Sequence, residues 1–159
     1  MSRYGMKLAE AYGDKLPSFP NQKEAEKMLI DLKNGCLVRI NALSSNTIMF
    51  KPDFTPNSLK GLEKWFFKLY ENNSFGDIGT SQSEFETCIA IYFGEVAVKN
   101  SKAKWVVEKY FLGNDKYTLG IRRNENFAQT LMNYGGLPLR NNNKRKESIF
   151  REYEKYYGD

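Results

Sequence analysis

The sequence predicts an α+β domain: an antiparallel sheet built from two hairpins, with about five helices packed against it. Three observations lead there. Apolar spacing switches twice from a helical period to strict alternation. Helix-like and strand-like stretches come in groups and not in β-α-β succession, which disfavours a parallel sheet. Finally, 159 residues that are 41% hydrophobic and 14% aromatic can build one core without metals or disulfides. The domain is expected over 21–159, behind an irregular arm at 1–20.

Each element has a local signature. Pro17 and Pro20 fix φ and discourage helix, so 1–20 reads as irregular. Asn21 can cap a helix, and Glu24 stands at the spacing that lets its carboxylate reach back to the cap. Ala25, Met28, Leu29 and Leu32 follow at helical spacing and Gly35 offers a left-handed exit, predicting a helix over 22–34. Cys36, Val38 and Ile40 then alternate with Leu37 and Arg39, and beyond a polar Ser-Ser turn Ile48 and Phe50 alternate with Met49 and Lys51. This is the first expected hairpin, over 36–52. Thr55 and Pro56 suit the cap and first position of a helix reaching Glu71, with Leu59, Leu62, Phe66 and Leu69 as its buried stripe.

Ser81 and Glu84 open another helix, which carries Phe85, Cys88, Ile89, Tyr92 and Val96 on one face to about residue 98. Gly94 costs that helix about 1 kcal/mol against alanine, so another element packs close there or the backbone is open beside a binding site. Trp105, Val107, Lys109 and Phe111 alternate, Gly113-Asn114-Asp115 turns the chain, and Tyr117 to Ile121 returns: the second hairpin. A short helix is expected from Asn126 to Tyr134, closed by Gly135-Gly136. A last one over 146–157 places Ile149, Phe150, Tyr153 and Tyr157 on one face.

Composition narrows the chemistry. Histidine is absent, which removes imidazole bases, Ser-His and Cys-His nucleophile pairs and histidine metal ligands. Cys36 and Cys88 lie far apart, match no zinc signature and read as small buried apolar residues. Neither glycine-bearing loop, Leu112-Gly113-Asn114 or Asn133 to Gly136, has the Gly-Lys-Ser/Thr ending of a phosphate cradle. No cofactor or metal is therefore expected, and no catalytic residue. No stretch approaches a membrane span and the N-terminal residues lack a continuous apolar run, so a cytoplasmic protein is expected.

Charge points to a partner. Lys and Arg outnumber Asp and Glu by 24 to 19, a net +5. Residues 71–95 hold five acids and no base, whereas 96–123 hold seven bases and two acids. Arg140, Lys144, Arg145 and Lys146 form a third, basic run. Tyr92-Phe93-Gly94-Glu95 followed by Trp105 has the best claim to a site. A helix ending near Glu95 and returning as a strand would bring carboxylate, indole and basic groups together.

Taken with Phe54-Thr55-Pro56-Asn57-Ser58-Leu59 and Leu62-Glu63-Lys64-Trp65, these motifs resemble those of small uncharacterised bacterial domains, some proposed as toxin-immunity proteins. The resemblance spans about 53–107 and implies that Glu95 and Trp105 share a structural centre. It departs in charge, since immunity proteins are often acidic and this chain is basic.

Two functional readings follow. The first is a non-catalytic protein-binding module, an immunity or inhibitor protein, that meets an acidic partner through Arg122, Arg123 and the 140–146 run. The second is sequence-tolerant binding of single-stranded nucleic acid by the hairpin 99–123. There Lys102, Lys104, Lys109 and Lys116 interleave with Trp105, Tyr110 and Tyr117. A membrane-surface role for the last helix ranks third, because Glu147, Glu152 and Glu154 oppose anionic lipid.

Overall fold

The computed structural model describes residues 2–129 and 147–158. The chain runs α1 (Arg3–Lys15), α2 (Gln22–Leu43), α3 (Ser58–Glu71), α4 (Gln82–Asn100), β1 (Lys104–Lys109), β2 (Tyr117–Arg123), β3 (Asn126–Gln129) and α5 (Ser148–Tyr157). The class is α+β. Among the described residues there are five α-helices and one antiparallel sheet of three strands in the order β1-β2-β3.

α4 is the axis of the core. Ser81 accepts a hydrogen bond from the Glu84 N–H, as the capping signature predicts. Beyond that cap, Phe85, Cys88, Ile89, Ala90, Ile91, Tyr92, Phe93, Val96 and Ala97 are all buried, so apolar neighbours surround the helix instead of lining one stripe. α2 lies against it through Ala25, Leu29, Cys36, Ile40 and Leu43, and α3 through Leu62, Trp65, Phe66 and Leu69. Trp65 meets Phe85 edge-on at 4.8 Å between ring centroids. Leu119 and Ile121 of β2, facing Val107 and Trp105 of β1, close the core on the sheet side.

Three expectations are corrected. No strand forms at 36–40, because α2 continues through Gly35 to Leu43. Its buried residues 25, 29, 36, 40 and 43 keep one helical stripe across the glycine, and packing on α4 outweighs the glycine's cost of about 1 kcal/mol. Val38, central to the apparent alternation, is 71% exposed. Residues 47–57 contain no strand either: Ile48 is fully exposed, and the Met49 carbonyl crosses α3 where a side chain on Gly61 would stand. In place of a sheet built from two separate hairpins, the described residues form one three-stranded sheet in which β2 pairs with both β1 and β3.

The arm 1–20 is also not irregular throughout. α1 occupies Arg3–Lys15, with the Ser2 hydroxyl accepting from the Gly5 N–H at 3.0 Å. The prolines restrict only themselves and their predecessors, and the helix ends just before them. The Tyr110 ring packs on Gly13, and its hydroxyl donates to the Ala9 carbonyl at 2.8 Å. Finally, the helix expected at 126–134 is replaced at its start by β3, which pairs with β2 after a tight turn at Asn124-Glu125. Asn124 takes the positive φ such a turn needs. The rest of that expected helix lies outside the described residues.

Candidate functional site

Glu95 and Trp105 do meet, as structural partners. The indole Nε1–H donates to Glu95 Oε2 at 2.8 Å, and the ring lies on Gly94, filling the space an alanine methyl would need. Lys33 of α2 sits 5.5 Å from the ring centroid. Gly94 thus admits a close-packed ring.

The basic residues of β2 divide by strand alternation. Arg122, on the face away from α4, ion-pairs with Glu108 across the strand, reaches the Glu125 carbonyl at 3.2 Å and lies over Phe127. Arg123 projects to the other face and donates to the Tyr156 carbonyl at 3.3 Å. Both guanidiniums are drawn into fold contacts. Arg140, Lys144, Arg145 and Lys146 lie outside the described residues. The hairpin's rings are likewise in use: Tyr110 and Tyr117 are buried and Trp105 is half-buried, while Phe111 is exposed.

A basic face lies elsewhere. Lys60, Lys64 and Lys68 follow one another every four residues along α3, opposite its buried stripe, and so share one side of the helix. Lys64 and Lys68 are exposed, and Lys60 lies over the Phe150 ring of α5 at 4.3 Å. Between them, the buried Glu63 turns inward and caps α5. It accepts from the Ser148 N–H at 3.1 Å, the Ser148 hydroxyl at 2.6 Å and the Ile149 N–H at 3.1 Å. Glu147 makes no side-chain cap of its own, so α3 supplies the anion that the helix start requires. The Lys-x-x-x-Lys-x-x-x-Lys spacing is visible in the sequence; that α5 docks beside it is not.

The family described as uncharacterised protein YwmA matches this sequence over residues 18–157. The chain belongs to that family. It is 30% identical over 130 residues to a protein named uncharacterized protein YwmA from Bacillus subtilis (strain 168), covering 81% of this chain and 82% of that relative. No solved structure gives a significant match. The expected resemblance to a small uncharacterised bacterial domain therefore holds at family level. The YwmA match runs from α2 to α5 and takes in the Glu95–Trp105 contact, the α3 lysine row and the Glu63 cap.

Proposed function

We propose that this YwmA-family chain is a protein-binding module that works without catalysis, docking an acidic surface of another protein as an immunity or inhibitor protein does. The observation that carries the reading is the lysine row of α3, three cations on one side of a helix held rigid by the core. A fixed row of like charge steers an oppositely charged partner into register. Three carboxylates that acid–base chemistry would draw on support the reading from the other side, because they are committed to the fold. Glu63 caps α5, Glu84 pairs with Arg39 at 2.9 Å, and Glu95 holds the Trp105 indole.

Single-stranded nucleic acid binding by hairpin 99–123 has less support, since its Trp and Tyr rings pack into the fold.

The test is capture of partners from nuclease-treated lysate of the source organism at moderate salt. The wild-type chain is expected to retain one acidic protein at stoichiometric level and release it as salt rises. The double variant Lys64→Glu, Lys68→Glu, which spares the Lys60–Phe150 contact, should lose at least about tenfold in affinity, near 1.4 kcal/mol, at an unchanged melting temperature. Equal capture by the variant, or no stoichiometric protein, would overturn the proposal. Retention of single-stranded oligonucleotide that weakens steeply with salt would favour the other reading.

A further inference from the structure

Cys36 and Cys88 are buried, as the sequence suggests, but the fold also brings them together. Cys36 sits on the face of α2 that packs on α4, Cys88 belongs to the buried side of α4, and both line the same groove between the two helices. The neighbouring Cys88 thiol lowers the Cys36 thiol below its ordinary range against the opposing effect of burial, and Arg39, one turn on, adds to the lowering. Cys88 moves the other way, raised first by the neighbouring Cys36 and then by burial. The pair is chemically unequal, with Cys36 the more readily ionised of the two.

These sulfurs are not sealed off. A groove of about 460 Å³ opens between α2 and α4, with Cys36 and Cys88 among its lining residues alongside Leu32 and Thr87. Gly35 leaves the space next to Cys36 open: a side chain there would meet nothing within 4 Å. The Arg39–Glu84 ion pair joins the two helices at the same groove, with Arg39 also donating to the Gly79 carbonyl at 2.8 Å.

We propose that Cys36 and Cys88 form a redox-active dithiol, which a low-molecular-weight disulfide entering the α2–α4 groove oxidises to an inter-helix disulfide. The Cys36 thiolate attacks one sulfur of the small disulfide, forming a mixed disulfide and expelling the first thiolate. Cys88 gives up its proton to that leaving thiolate and attacks the Cys36 sulfur, expelling the second, which takes its proton from water. Starting from the Cys36 thiolate and the Cys88 thiol, the protein loses two electrons and one proton; the small disulfide gains the electrons and leaves as two thiols, one protonated by Cys88 and one by water.

Oxidised glutathione is the probe, added to the native reduced protein and followed by intact mass and peptide mapping. The wild-type chain should lose two hydrogen atoms, keep no adduct and yield a peptide linking residues 36 and 88. Cys88→Ser should accumulate one glutathione on Cys36, and Cys36→Ser should react at Cys88 at least about tenfold more slowly. Cys88→Ala serves if the serine variant does not fold. A wild-type chain that stays reduced, ends with adducts and no internal link, or links only between molecules would overturn the proposal. So would equal adduct rates at the two single cysteines.

Discussion

At the scale of single residues, Gly94 shows how a local cost records a distant contact. Its place inside α4 is unfavourable by helix propensity, yet a Cβ there would stand 2.8 Å from the Cζ2 of Trp105. Gly94→Ala is therefore expected to destabilise the fold by about 1–3 kcal/mol, since overpacking exceeds the propensity gain. In a Trp105→Leu background, which vacates the space, the same change should be neutral or stabilising. A double-mutant cycle by urea denaturation checks this, and equal costs in both backgrounds would refute the contact's role. The glycine was legible as an anomaly in the sequence, and the pairing of Glu95 with Trp105 was legible as proximity. Which of two causes explained the glycine depended on where the indole points.

Among elements, α5 illustrates a helix whose start is completed in trans. Its first N–H groups have no local side-chain partner, and Glu63 of α3 accepts from two of them and from the Ser148 hydroxyl. Glu63→Ala should cost at least about 2 kcal/mol, because it leaves buried donors without an acceptor. The loss should be local first: hydrogen exchange is expected to quicken over Ser148–Tyr157 while α4 stays protected. Uniform loss of protection across both helices would count against a capping role. Glu63 looks like an ordinary surface position between Lys60 and Lys64, and nothing in its neighbourhood announces a partner 85 residues away. Conversely, Ser81 and Asn21 cap their own helices as their spacing predicts, because both halves of the bond lie within three residues.

The whole molecule carries a pH dependence that its core imposes. Burial raises Glu86 above the ordinary glutamate range, more than the Gln82 amide lowers it. The folded state thus favours the protonated form. Stability from this group is complete below the unfolded value and is lost as pH rises through the folded one. Glu86→Gln is expected to match the wild type in acid and exceed it near neutrality, measured as urea midpoints at both ends. A constant difference across that range would show that Glu86 is not responsible. Tyr157, pushed up to about 12 by burial and then by Glu152, gives the same sign on the alkaline side. Among the described residues no helix is long and apolar enough to cross a membrane.

The sequence by itself determined what depends on near neighbours: the N-terminal caps of α2 and α4, the period of α3, the hairpin 104–121, the charge blocks and the absence of imidazole. It misread 36–40 because a short apolar run with alternate spacing fits a strand and a helix alike until its packing partner is known. Only the tertiary structure decided that α2 passes through Gly35, that Cys36 meets Cys88, and that the lysines of α3 stand beside α5. Each of these joins residues distant in sequence, and such contacts exist only once the core has closed around α4.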